Sequence, residues 1–139
     1  MEFALIGGLF FLVLFAIIEF GRLLFTWNTL DEVTRRAARL AAVCPMDQQA
    51  IVADQAVFGG SIITDLSAAN VLIEYLDEDF TTTTTLGDVR YVRTQIQNYQ
   101  HQMIVPLMPI DLLTAPPFTT TLPSESLGIT PTGDWSVSC

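Results

Sequence analysis

An α+β fold is predicted: a long hydrophobic N-terminal helix followed by a small head with a short helix and an antiparallel β-sheet. Three observations carry it. Residues Phe3 to Ile18 form an unbroken apolar run, FALIGGLFFLVLFAII. The pattern then turns amphipathic at helical spacing as far as Val43. Beyond Cys44-Pro45, short β-branched groups alternate with turn residues and prolines, which is how short strands read. Residues 1–44 are expected to form the apolar helix and residues 45–139 the head.

At a rise of about 1.5 Å per residue the sixteen-residue run is roughly 24 Å long, a little short of the ~30 Å hydrocarbon core of a bilayer. Phe20, Leu23, Leu24, Phe25 and Trp27 extend the lipid-compatible face, so a single membrane span with an interfacial Trp is expected. Glu2 stands at the start of the run, where a carboxylate is costly in hydrocarbon and calls for a partner. Gly7-Gly8 lies inside the run, and each glycine costs roughly 1 kcal/mol against Ala in a helix interior. It marks either a soft point of the helix or a place where neighbouring helices approach closely.

Past the run, Glu19 and Arg22 are three apart and suit a pair within one helix, or a bridge between two helices. Leu23, Leu24, Leu30, Val33, Ala37, Leu40 and Ala41 suit packing on a domain. Asp31 to Arg35 and Glu32 to Arg36 are four apart with the acid first, the favourable order. Arg35, Arg36 and Arg39 complement the carbonyl end of the helix dipole, and Pro45 pushes Cys44 out of helical geometry.

In the head, Met46 to about Phe58 reads as a short helix with Asp47 as a cap and Gly59-Gly60 as its end. Val71 to Leu76 reads as a strand, and Arg90 to Ile104, with its alternating VRTQIQ, as a second that completes a hairpin. Between them DEDFTTTTTLGD reads as an exposed loop, in which Thr81 to Thr85 is a plain solvated segment in preference to a carrier of O-linked sugar. After Val105, Pro106, Pro109, Pro116, Pro117, Pro123 and Pro131 exclude long regular elements, leaving Phe118 to Leu122 as the best remaining strand.

The 139-residue chain carries a net charge of −9, with six Arg and no Lys, and such acidity argues against nucleic acid as a partner. Two cysteines, Cys44 and Cys139, suggest one bridge in an exported chain, with two independent thiols as the alternative. One His, no H-E-x-x-H, no G-x-S-x-G and no glycine-rich phosphate cradle give catalysis little to work with, so no enzyme, cofactor or metal centre is expected. His101 is read as a strand or loop residue with no special task. Glu74, Asp77, Glu78 and Asp79 offer oxygens for a hard cation but lack a loop-motif spacing, and a solvated acidic rim is expected. A lipid-anchored Cys44 is rejected because Val43 stands where a small residue is wanted and Arg35, Arg36 and Arg39 interrupt the apolar stretch. No basic stretch precedes the run, so the sequence is expected to begin at a processed end or inside a longer precursor.

Glu2-Phe3-Ala4-Leu5, the apolar run, Ile18-Glu19-Phe20-Gly21-Arg22-Leu23-Leu24 and Arg36-Ala37-Ala38-Arg39-Leu40-Ala41-Ala42-Val43 together resemble the TadE-like pilin family, within the type IV pilin superfamily. The likeness spans residues 2 to 44. It implies a pilin-like architecture, a single-pass stay in the inner membrane, leader removal by a prepilin peptidase, and passage through pilus assembly machinery into an extracellular Tad-type filament. The family commonly carries Pro where Gly8 stands, and the superfamily tends to place its acid a few residues further from the mature amino terminus than Glu2.

On that resemblance the chain is a structural subunit whose apolar helices bundle as a homo-oligomeric helical filament. Glu2 would pair with the amino group of an adjacent subunit and set register. The rival is a membrane-anchored minor pilin or assembly factor of a Tad-type pilus or secretion apparatus. An anchored enzyme and a filamentous viral coat subunit are more remote alternatives.

Overall fold

The computed structural model describes residues 2–63, 65–104, 112–130 and Cys139; the side chains of Glu2 and Leu112 lie outside that description. Helix α1 runs unbroken from Glu2 to Val43, 42 residues and about 63 Å. Its two halves have different fates because their sequences differ. The first half has apolar residues on every side. In the second, Leu23, Leu30, Val33, Ala37, Ala38, Ala41 and Ala42 form one buried stripe along which the head is built. The alanines let the neighbouring elements approach closely.

Helix α2, Gln49–Ala56, lies against this stripe and buries Val52, Ala53 and Ala56. It is shorter than expected, with a 3₁₀ turn at Met46–Gln48 before it and another at Phe58–Gly60 after it. The expected Asp47 cap is absent: Gln48 occupies the cap position and makes no side-chain capping bond. Phe58, Gly59 and Gly60 all have positive φ, which is how the chain reverses there.

Among the described residues five strands follow: β1 Val71–Leu76, β2 Tyr91–Ile96, β3 Gln100–Gln102, β4 Leu112–Thr114 and β5 Thr119–Pro123. Strands β1, β2 and β5 form an antiparallel sheet in the order β1-β2-β5, with Val71 opposite Ile96 and Tyr91 opposite Pro123. Strands β3 and β4 form a separate two-stranded ribbon. The single strand expected over Arg90 to Ile104 is therefore two, broken at Asn98, whose φ is +55°. The side-chain amide of Asn70 holds the break by donating to the Gln97 carbonyl at 3.1 Å.

Alternation puts Val71, Ile73 and Tyr75 of β1 and Val92, Thr94 and Ile96 of β2 into the core with α1. The Thr94 hydroxyl donates to the Thr34 carbonyl at 2.7 Å, and the Thr34 and Thr120 hydroxyls bond at 2.9 Å, stitching α1 to the sheet. On the outer face Glu74 and Arg93 stand opposite each other and pair at 2.8 Å. Asp31 and Arg35 pair at 2.7 Å along α1. Arg36 instead lies over the Phe58 ring, 4.2 Å from its centroid.

Tyr75 is buried with no hydrogen-bond partner for its hydroxyl among the described residues, and burial, with a smaller push from Asp47, raises its pKa to about 12. Because a neutral phenol is favoured in the folded state, this contribution to stability is intact below about pH 10 and is lost as pH rises toward 12. Tyr75→Phe removes an unsatisfied buried hydroxyl, so denaturant unfolding at neutral pH is expected to show stability unchanged or raised by about 1 kcal/mol.

The end of α1 is capped from a distant segment. Glu125 and Leu127 donate their backbone N–H groups to the Ala42 carbonyl, and Gly128 donates to Val43 at 2.7 Å. Gly128 has φ +81°, and a Cβ there would overlap the Pro45 ring. Gly128→Ala meets both a rigid ring and a left-handed backbone, so a loss of about 2 to 3 kcal/mol is expected in thermal or denaturant unfolding. Beside this cap, Cys44 and Cys139 are joined by a disulfide. Cys139 is also held by Gln48, which accepts its N–H at 2.8 Å, and by Gln55, which donates to its carbonyl at 2.7 Å.

Candidate functional site

The most distinctive surface of the described residues is the first half of α1. Thirteen large apolar side chains between Phe3 and Phe20 are exposed, from Phe3 at 89% downward. Phe11 stacks on Phe15 with ring centroids 6.3 Å apart and meets Phe10 edge-on at 5.5 Å, so a near-continuous aromatic ridge runs along part of the helix. The helix is long and apolar enough to cross a membrane. At roughly 1.5 to 3 kcal/mol for each side chain taken fully out of water, this partly exposed set represents on the order of 20 kcal/mol that water leaves ungained. Such a surface needs lipid or protein around it.

Gly7 and Gly8 lie within regular helix, and a Cβ at either would meet nothing within 4 Å. The packing around them is therefore open to whatever covers the helix. The Glu2 side chain, and with it the expected amine pairing, lies outside the described residues.

Where the exposed half ends, a polar junction begins. Glu19 is only 8% exposed. Arg22 Nη1 donates to its Oε1 at 2.6 Å, the geometry of a pair within one helix. The backbone N–H of Ile104 donates to Oε2 at 3.3 Å, and His101 Nε2 stands 3.6 Å from Oε1. His101, on β3, is itself 3% exposed, and among the described residues its Nε2 has no hydrogen-bond partner. The residue read as having no special task thus abuts Glu19, a buried carboxylate of α1. Pattern reading missed it because the approach of β3 to α1 is made by residues more than eighty positions apart. Its being the one His in the chain was the available signal.

The junction opens into a cavity of about 200 Å³ lined by Arg22, Phe25 and Thr26 of α1, Ile62, Ile63 and Asp65 of the connection after α2, and Tyr99, His101 and Gln102. Burial raises the Tyr99 pKa, with Asp65 adding to the rise and Arg22 opposing it, so both charges act on the phenol. Cys44 and Cys139 are not part of this junction; their bridge closes the other end of α1.

The acidic loop is organised by its own hydrogen bonds. Asp77 accepts from the Thr81 hydroxyl and from the backbone N–H groups of Thr81 and Asp79, which hold its carboxyl below its ordinary value. Glu74 is taken by Arg93 and so is not a member of the expected acidic rim. Among the described residues no three His, Cys, Asp or Glu side chains gather as a metal site. Thr81, Thr82, Thr84 and Thr85 are exposed.

No curated protein and no solved structure matches the chain. Residues 1–39 match the model of the TadE-like protein family, so the helix that carries the exposed apolar surface and the Glu19–Arg22 pair is similar to that family over this stretch.

Proposed function

We propose that this chain is a structural pilin subunit that polymerises through the first half of α1 into an extracellular type IV-like filament of the Tad kind. The observation that supports the reading best is the apolar exposure of residues 3–18 beside a head whose described residues meet the helix from Glu19 onward. In the bilayer, lipid covers that surface. In a fibre, the same helices from other copies would cover it, with heads outside. A prepilin peptidase and the pilus assembly machinery would act between the two states.

Burial of apolar area supplies the holding force and says little about register, because it is non-directional. Glu2 would supply register by pairing with a neighbouring subunit's amino group, since a buried ion pair specifies geometry better than it stabilises. Glu2→Ala is expected to leave membrane insertion intact and to reduce filament yield, as measured by comparing membrane fractions with sheared surface material. Normal filaments from that variant would refute the pairing.

The test of the function itself is copy number. Electron microscopy of sheared surface material, with mass spectrometry of its protein, is expected to find filaments built mainly of this chain. Retention of nearly all copies in the inner membrane would instead support an anchored minor pilin or assembly factor.

A further inference from the structure

We propose that the cavity between α1 and β3 holds the headgroup of an amine-bearing zwitterionic phospholipid, with phosphate toward the N–H groups of Arg22 that Glu19 leaves free and the ammonium toward Asp65. This rests on the membrane-embedded stage of the proposed function and not on filament formation.

Depth is the first argument. Phe3 to Arg22 spans nineteen helical steps, about 28 Å, close to the ~30 Å hydrocarbon thickness. With Phe3 at one edge of the hydrocarbon, Arg22 and the cavity fall at headgroup level on the other. The rim agrees with such a position. Ile104 is 70% exposed and Ile62 45%, and Phe25 is also exposed, so apolar side chains of the head and the helix border the site where acyl chains would lie.

Chemistry is the second argument. Arg22 spends one donor on Glu19, and a guanidinium has five. Its remaining N–H groups suit phosphate oxygens. His101 Nε2 is turned toward Glu19 Oε1 at 3.6 Å, so the imidazole is committed to the junction and serves as a reporter of charge placed beside Arg22. Asp65 adds an opposite charge, so the lining matches a ligand with both signs better than a plain anion. A primary ammonium can donate hydrogen bonds to the Asp65 carboxylate and the Gln102 carbonyl. A trimethylated ammonium cannot. The volume of about 200 Å³ suits one small headgroup.

The one histidine gives an unambiguous probe. The full chain, kept monomeric in detergent, is titrated with short-chain phosphatidylethanolamine, phosphatidylcholine or phosphatidylglycerol, and separately with inorganic phosphate, while the His101 imidazole resonances are followed by NMR. Saturable shifts are expected with phosphatidylethanolamine at concentrations at least tenfold lower than with the other two lipids. Asp65→Asn, an exposed position whose change leaves the fold intact by circular dichroism, is expected to erase that preference. Equal response to all three lipids, no response to any, a response to inorganic phosphate equal to that of the lipid, or a preference that survives Asp65→Asn would each overturn the proposal. Because the protein is monomeric throughout, the result is independent of whether filaments form.

Discussion

Removing the Cys44–Cys139 bridge, by reduction or by a Cys44→Ser/Cys139→Ser double substitution, is expected to lower the stability of the head by about 4 to 5 kcal/mol. The bridge spans 95 positions of sequence, and the chain-entropy model gives that magnitude for a loop of this length. Domains of this size are typically stable by about 5 to 15 kcal/mol, so the loss takes a large share of the margin. At roughly 4 °C or more per kcal/mol, the thermal midpoint is expected to fall by about 20 °C. The local structure argues in the same direction. Cys139 reaches α2 through Gln48 and Gln55, and Cys44 stands where the segment around Gly128 caps α1. Freed from the bridge, those hydrogen bonds would have to hold the seam alone. Thermal unfolding of the detergent-held chain, with and without reductant, measures the effect. A change below about 1 kcal/mol would show that the seam is held by packing and that the bridge is incidental.

The elements that could be read from the sequence are those whose cause is local. An apolar run followed by an amphipathic stripe specifies α1 without reference to anything else, and Val71 to Leu76 falls where its alternation puts it. Asp31–Arg35 forms because both partners are on one turn of helix. What escaped depends on partners distant in sequence. Glu32–Arg36 has the same favourable spacing, yet Arg36 goes to the Phe58 ring, which only the fold places nearby. Residues 90–104 read as one strand because VRTQIQ continues smoothly into polar sequence. The break at Asn98 is imposed by Asn70, which lies before β1. Asp47 looked like a cap, but the chain enters α2 through a 3₁₀ turn that leaves Gln48 at the cap position. The same limit applied to the polar junction. Glu19 and Arg22 were visible as a spaced pair, whereas His101, the Ile104 N–H and Asp65 were brought to them by folding.

Leu12→Asp is expected to leave the protein in the membrane fraction while reducing sheared filaments by about 100-fold. Leu12 lies near the midpoint between Phe3 and Arg22, and it is exposed on the isolated chain. For membrane insertion an Asp at the centre of a span costs about 2.5 to 3.5 kcal/mol. Each remaining Leu, Ile, Phe or Val offsets roughly 0.3 to 0.6 kcal/mol of that, and the run has enough of them to keep the helix embedded. In the proposed fibre there is no such relief. A single helix in a bilayer can tilt or draw water toward one carboxylate, but a bundle would bring the same carboxylate from every copy into a shared apolar core with no cation opposite it. Leaving a buried charge unpaired costs several kcal/mol. Even 2.8 kcal/mol per added subunit amounts to a hundredfold in an assembly equilibrium. Leu12→Met, which conserves volume and costs under about 1.5 kcal/mol in a packed core, serves as the control and is expected to assemble. Parallel quantification of membrane and sheared fractions separates insertion from assembly. Filaments of Leu12→Asp at the parental level would mean that the middle of α1 faces no other subunit, and the proposed fibre core would have to be abandoned.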